Sequence, residues 1–441
     1  MAYLPQIIFL LVLLAGIGFF TLNIRQLIKN IKLGRSVTLE GSKRERYKNV
    51  ALIAFGQSKM LSKPVSGILH LVVYLGFLII NIEVLEIIID GLFGTHRIFA
   101  FLGTTYNVLI ATFEILAALV VVAVAVFWLR RNVLKLSRFW KPEMKGWPKK
   151  DANLILYIEW VLMGLFLIMN AADLQLQQLG AEPYVSAGAF PVSSFISPLL
   201  DGMSVDNLTM LERGAWWLHI IGILCFLNYL YYSKHLHIML AFPNTYLGKL
   251  TPSGQFAHNE TVAKEVALMM DPNADPFAAP AADAPIPERF GAADVMDLNQ
   301  IQLLNAYTCT ECGRCTSECP ANQTGKKLSP RKIMMDTRDR LQEVGENTKL
   351  NKGEFKPDGK QLLGDYISAE ELWACTSCNA CVEACPVSID PLSIIMDMRQ
   401  YLVMEQSAAP AALNNMMGNI ENNGAPWPYN QQDRLQWAQE N

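Results

Sequence analysis

Two cysteine runs carry the most specific chemistry in this chain. The first reads Cys309-x-x-Cys312-x-x-Cys315-x-x-x-Cys319-Pro320, the second Cys375-x-x-Cys378-x-x-Cys381-x-x-x-Cys385-Pro386. Three thiolates at two-residue gaps can wrap three irons of a cubane. A fourth cysteine followed by proline is the bacterial two-cluster spacing, in which each fourth ligand serves the cluster of the other run. The spacing predicts two [4Fe–4S] clusters, one on Cys309, Cys312, Cys315 and Cys385, the other on Cys375, Cys378, Cys381 and Cys319. Zinc usually takes paired CxxC ligands. Disulfides are disfavoured in a reducing compartment, and the charge distribution assigns this half to one.

A sparser set of polar residues lies in apolar surroundings. His70 sits near the start of one apolar run, His219 in another, and His235 and His237 near that run's end. Eighteen residues separate His219 from His237, five whole turns at 3.6 residues per turn, so on one helix they share a face and His235 points nearly the opposite way. His70 matches His237 in depth better than it matches His219. A neutral imidazole from each of two helices suits the two axial positions of a b haem, so His70 and His237 are the expected pair. The alternative is that these histidines only hold lipid headgroups. Glu83, Glu86 and Asp90 recur at i, i+3 and i+7 and form one stripe; Glu114 and Glu159 lie mid-run. Carboxylates inside a bilayer are candidates for proton relays or quinone sites, although Asp90 reads better as facing the aqueous rim. Cys225 reads as a small buried hydrophobe.

The elements that must position these residues follow from the hydropathy. The chain has 441 residues, 51% hydrophobic and 17% charged, with a net charge of −3. Soluble domains carry about a quarter charged residues, so a uniform soluble enzyme, a disordered chain and a nucleic-acid binder are all disfavoured. Residues 4–24 are uncharged, with no Lys or Arg before Arg25 and no small-residue cleavage site, which predicts a retained helix and not a signal peptide. Further apolar runs at 66–90, 105–129, 153–172 and 214–241 make five spans. Segments 25–63 and 130–150 hold ten and eight Lys/Arg, whereas the other two loops hold Arg97 and Arg213 alone. The positive-inside rule then puts the N-terminus outside and everything after residue 245 in the cytoplasm.

Residues 271–287 contain five prolines among alanines and acids, which predicts a tether. Around the cysteines the signals are helical. Ser329-Pro330 starts a helix that runs to about Val344, with Gly345 as its stop. Ser368 to Glu371 form a capping box. Asp390-Pro391 starts a helix with Ile394, Ile395, Met398 and Leu402 on one face. Arg314, Lys326, Lys327, Arg331 and Lys332 read mostly as a solvated basic rim. Trp427, Trp437 and Met416-Met417 stand out in a polar tail, which either docks a partner or frays. The expected fold is all-α. A five-helix membrane domain (1–245) leads through a linker (246–300) to a helical two-cluster domain (301–404) and a tail (405–441).

Segments 53–80 (IAFGQSKMLSKPVSGILHLVVYLGFLII) and 233–240 (SKHLHIML) resemble the cytochrome b subunit of respiratory nitrate reductase, and still more the membrane subunits of heterodisulfide-reductase-type complexes. Segments 303–332 and 373–404 resemble the helical two-cluster ferredoxin subunit of the same group. The resemblance implies a fused electron-transfer oxidoreductase subunit in a bacterial-type inner membrane. It would pass electrons between a cytoplasmic partner and membrane quinone, menaquinone or ubiquinone. In the family, the second and fifth helices each supply two histidines. His70, His219 and His237 match three of those positions, but the fourth falls at Ile80, which cannot ligate iron. This leaves one haem b expected, a second in doubt, and His219 available for a quinone site with Glu83 or Glu86. Relatives often carry a Cys-Cys-Gly domain, and this sequence has no Cys after Cys385, so a Cys-Cys-Gly protein is an expected partner, docking near Trp427. A flavoprotein dehydrogenase or an electron-transfer flavoprotein is the other option. A membrane-anchored ferredoxin carrier without a quinone site is the competing function. A redox sensor, with labile clusters and no haem, is a further one.

Overall fold

The computed structural model describes residues 3–252, 254–256, 260–273 and 289–439. Helices dominate, and among the described residues there is no strand, only two isolated bridges, Arg35 to Asn299 and Leu363 to Ile367. Five helices are long and apolar enough to cross a membrane: α1 (Leu4–Ile31), α2 (Pro64–Phe93), α3 (Thr104–Asn132), α4 (Trp147–Gln178) and α5 (Val205–Tyr229). Proline near the first position of α1, α2 and α4 suits a helix start, where its missing N–H costs no bond. Gly94, left-handed at φ 71°, ends α2. Each span packs on its neighbours in sequence, and α1 also packs on α5, so the five close into a ring. Large apolar side chains such as Leu11, Phe77, Val122, Val161 and Leu218 stand exposed around it, as expected of helices with lipid outside. Cys225 is exposed on this face too, not buried as its small apolar character had suggested.

The fifth span departs from its expected form. α5 ends at Tyr229, the chain passes through 3-10 turns at Leu230–Tyr232 and Lys234–Leu236, and a separate helix α6 starts at His237 and runs to Leu247. Ser233 accepts a hydrogen bond from the His235 N–H at this new start. His219 and His237 therefore lie on different helices, and the five-turn argument for a shared face does not apply to them.

The C-terminal helices pack directly on one end of the ring, called here the module end. They are α7 (Gln300–Thr308), α8 (Pro330–Leu350), α9 (Ala369–Trp373) and α10 (Pro391–Met404). Their starts follow the sequence closely. Ser329 caps α8, Ser368 and Glu371 form a reciprocal capping box on α9, and Asp390 caps α10. Ile394, Ile395, Met398 and Leu402 are buried along α10. A single hydrophobic core joins this module to Leu27 of α1, Leu230, Leu236 and Leu240. Residues from the expected linker contribute to it: Ala292, Val295 and Leu298 are fully buried, and a helix spans Glu260–Met270. Most of the proline-rich tether lies outside the described residues.

Gly345 does not stop α8, which continues to Leu350. A Cβ at Gly345 would stand 2.3 Å from Asn30 Oδ1. Asn30 is buried at the end of α1, held by its hydrogen bond to Tyr307 Oη at 2.9 Å. The glycine is thus a close-approach site between α8 and a membrane helix. A mid-helix Gly→Ala change ordinarily gains about 1 kcal/mol. Here Gly345→Ala should reverse that sign and lose about 1 kcal/mol or more through overpacking. Thermal melting of the detergent-solubilised chain checks this: the midpoint should fall in Gly345→Ala and recover in Gly345→Ala/Asn30→Ala, and a rise in the single variant would contradict the account.

Candidate functional site

The two cysteine loops are built alike. In Cys309–Cys315 the residues on either side of the second cysteine, Glu311 and Gly313, have φ of 55° and 74°; in Cys375–Cys381 the equivalent Ser377 and Asn379 have 53° and 60°. Paired left-handed residues curl each loop back on itself, a conformation non-glycine residues seldom adopt. At Gly313 a Cβ would also meet Arg331 Nη1 at 2.6 Å.

Cys309, Cys312, Cys315 and Cys385 line one small cavity together with Cys381 of the second run. The other four gather next to it. Burial pushes the Cys381 thiol up to about 12, with Cys375, Asp390 and Cys319 adding to the shift. Burial also raises Cys375, against a backbone N–H from Ser377 and the charge of Arg399, with Cys319 and Cys378 as further neighbours. Cys309 is pushed up to about 12 and Cys385 to about 11, again chiefly by burial. Iron binding must displace these protons, since the thiolate is the ligand. The Ile389 N–H points at Cys385 Sγ at 3.3 Å. Cys378 of the second group is exposed, whereas in the first group Cys309 and Cys385 are buried and Cys312 and Cys315 half-buried. The donor set, eight free thiols in two neighbouring cysteine loops, fits two iron–sulfur clusters.

The first loop is clamped to the ring. Arg314 donates to the carbonyls of Lys59 and Met60, at 3.1 and 3.0 Å, just before α2. Arg331 donates to Arg138 O at 2.6 Å and Glu143 Oε1 at 2.7 Å, between α3 and α4. Arg314 and Arg331 are buried, so these two are anchors and not part of a basic rim; Lys327 stays exposed with Glu370. Glu311 pairs with Lys234, and with Arg338 at 2.8 Å. Burial alone would raise the Glu311 carboxyl, but these two cations outweigh it and hold it below its ordinary range. Lys234 also donates to Pro148 O at 2.7 Å. The Lys234–Glu311 pair was not foreseen from the sequence, because 77 residues separate its partners.

Inside the ring lies a cavity of about 440 Å³. It is lined by His70, His219, His235 and His237 together, and it extends to Thr310, Glu311 and Cys312 of the first loop. The His70 and His237 ring centroids are 6.3 Å apart. Two imidazoles that bind one metal from opposite sides at about 2 Å each stand roughly 6 Å apart at their centroids. His237 Nδ1 is 3.1 Å from Lys234 O, which leaves Nε2 free of that bond. His70 Nδ1 is buried with no partner. The site thus fits a bis-histidine haem. His235 does not turn away as helical spacing predicted: its ring meets His237 edge-on at 5.4 Å, because the 3-10 turn breaks the α-helical progression. The signal for that turn was Ser233 ahead of Lys234 and His235.

Glu83 and Glu86 are not brought to this cavity. Glu86 accepts from Tyr106 Oη at 2.9 Å and the Phe99 N–H at 2.8 Å. Glu83 is buried nearby, one oxygen without a partner. Arg97 links Tyr106, Asn170 and Asp173. Asp90 is buried, accepts from the Arg97 N–H and closes the turn after α2; it does not face an aqueous rim. Glu114 accepts from the N–H groups of Val192 and Ser193. These groups form a network at the far end of the ring, separate from the cavity.

Residues 308–389 match the 4Fe-4S dicluster domain family. The "Probable iron-sulfur-binding oxidoreductase FadF" of Bacillus subtilis is 28% identical over 98% of this chain and 61% of its own length. The "EtfAB:quinone oxidoreductase" of Syntrophomonas wolfei is 26% identical over 88% of the chain and 53% of its own length. A ferredoxin/F420H2-dependent CoB-CoM heterodisulfide reductase component from Methanosarcina acetivorans is 30% identical over 26% of the chain and 58% of its own length. The resemblance to heterodisulfide-reductase-type proteins is thus matched among the relatives. The chain spans only about half to three-fifths of the length of these relatives. No solved structure matches it.

The grouping of thiols has a direct test. Cys309→Ser and Cys385→Ser should each remove about half of the bound iron, and the double variant should lose no more than either single, because both act on one site. Cys385→Ser with Cys375→Ser should lose nearly all. Iron analysis with electron paramagnetic resonance of the reduced protein reads both outcomes, and additive loss in Cys309→Ser/Cys385→Ser would contradict the swapped pairing.

Proposed function

We propose that the chain is an electron-transfer subunit that connects a cytoplasmic redox protein with membrane quinone. The single observation that carries this reading is that Cys312 lines both the thiol cavity and the histidine cavity. Cys309, Cys312, Cys315 and Cys385 would hold the cluster next to the ring, and Cys319, Cys375, Cys378 and Cys381 the other. His70 and His237 would hold one haem b. When bound, these groups supply the one-electron steps, and the protein holds and tunes them.

The residues of the chain set the order. Exposed Cys378 marks the side where a partner delivers or takes electrons, and the buried first loop faces the membrane. Arg314 and Glu311 fix that loop to the segments bearing His70 and His237. The quinone enters the apolar part of the cavity beside His219. The network around Glu83 and Glu86 lies apart from it. The Lys/Arg distribution supports an N-terminus outside the cell and a cytoplasmic cluster domain. The relative named as an EtfAB:quinone oxidoreductase supports an electron-transfer flavoprotein as the partner, with a Cys-Cys-Gly protein or a flavoprotein dehydrogenase as the other candidates.

Reduced-minus-oxidised spectra with a pyridine haemochrome count test the reading. One haem b per chain is expected in the wild type, falling to near zero in His70→Ala and in His237→Ala and staying at one in His219→Ala. In proteoliposomes, quinone should reoxidise the reduced clusters of the wild type and should do so at least about tenfold more slowly in His219→Ala. A wild type without haem would sink the proposal.

A further inference from the structure

The quinone reading needs a group that hands protons to the headgroup, and one carboxylate in the spans is placed for it. Glu159 of α4 lines the cavity, and none of the described residues hydrogen-bonds to its carboxyl. The other buried carboxylates of the spans are engaged elsewhere or do not reach this space: Glu86, Asp90, Glu114 and Asp173 hold the far-end network, Glu83 sits beside it, Asp151 accepts from Tyr229, and Glu212 pairs with Arg213 and Tyr184. A carboxyl in an apolar cavity without a partner is expensive and asks for a functional reason.

His219 shares its depth. Glu159 lies twelve residues along α4 from Trp147, and His219 ten residues from the end of α5 at Tyr229. At 1.5 Å per residue these are roughly 18 and 15 Å from the module end. The two helices are locked there, since His219 Nδ1 is 3.0 Å from Leu162 O, one turn beyond Glu159. That bond leaves Nε2 for whatever occupies the cavity. Ile80, Val84, Val124, Met163 and Ile223 also line it, apolar walls suited to a flat ring with two polar oxygens.

We propose that Glu159 and His219 form the polar end of a quinone-headgroup site, with Glu159 as the proton-exchanging residue. The inference rests on the quinone reading above. Reduction of a quinone adds two electrons and two protons and forms two O–H bonds. The electrons come from the one-electron donor of the proposed function. The Glu159 carboxyl gives a proton to a carbonyl oxygen and regains one from water at the module end of the cavity, where Gln57, Arg130, Arg131, Lys234 and Glu311 lie. The second proton reaches the other carbonyl oxygen from water in the cavity. His219 Nε2 accepts a hydrogen bond from the hydroxyl that forms and so orients the ring. The protons are thus drawn from the side that holds the clusters.

The test uses the purified full-length chain in nanodiscs and 2-heptyl-4-hydroxyquinoline N-oxide, a quinol analogue whose fluorescence is quenched on binding. The wild type should bind it. Glu159→Gln should weaken binding about tenfold, the loss of one strong hydrogen bond, with haem and cluster spectra unchanged, and Glu159→Asp should recover part of the loss. Quinone-reduction infrared difference spectra of the wild type should show a carboxyl C=O band that is absent from Glu159→Gln. Wild-type binding with equal affinity in both variants overturns the role of Glu159 and leaves the quinone reading standing. Absence of the carboxyl band from the wild-type spectrum overturns it without recourse to any variant. A wild type that neither binds the analogue nor reduces quinone overturns the inference and the quinone reading together.

Discussion

The first cysteine loop is bolted to both histidine-bearing segments by buried charge, and the rest of the structure depends on it. Glu311 holds Lys234, three residues before His237, and Arg314 holds the carbonyls of Lys59 and Met60 ahead of α2, which carries His70. Breaking a buried pair by removing one partner costs several kcal/mol, because the other charge is left without compensation. These contacts therefore behave as fixed joints. Asn30 with Tyr307, Arg331 with Glu143, and Asn244 with the Val387 carbonyl extend the same seam. The module cannot swing away from the ring without stranding several buried polar groups, so the spacing between thiols and histidines is a property of the fold.

The ring solves a different problem at each end. At the far end, Glu86, Asp90, Glu114 and Asp173 are neutralised or hydrogen-bonded by Arg97, Tyr106, Asn170 and backbone N–H groups. Polar groups in a bilayer persist when they satisfy one another in this way. That end is structural scaffolding: Asp90 closes a turn and Glu114 caps a short helix. Toward the module end the ring instead leaves a space, and among the polar side chains lining it the four histidines and Glu159 are not paired with one another by hydrogen bonds. A closed network at one end and an open, ligand-sized cavity at the other make a division between support and function.

Several features were legible in the sequence because they depend on local geometry. The five spans need only length and hydropathy. The caps at Ser329, Ser368 and Asp390 need only a side chain three residues from an unpaired N–H. The pairing of each fourth cysteine with the other run is an expectation from spacing, and the first cavity is lined by both Cys385 and Cys381 of the second run. Where a local rule met a long-range contact, it misled. Gly345 looked like a helix stop but serves the approach of Asn30. Arg314 and Arg331 looked like solvated cations but are buried anchors.

The sequence by itself determined where the candidate ligands stand and how many helices are long and apolar enough to cross a membrane, since both are set by residue type and by spacing along one segment. The tertiary structure alone decided which of those residues meet. Helical periodicity assumed that His219, His235 and His237 share one rod, but the chain breaks at Tyr229, a 3-10 turn sets His235 beside His237, and the packing of α6 puts His237 opposite His70. It likewise separated Glu83 and Glu86 from His219 and put Glu159 in their place. A side chain's partners in a helical bundle depend on the rotation and register of neighbouring helices, and those are fixed by contacts between residues tens to hundreds of positions apart.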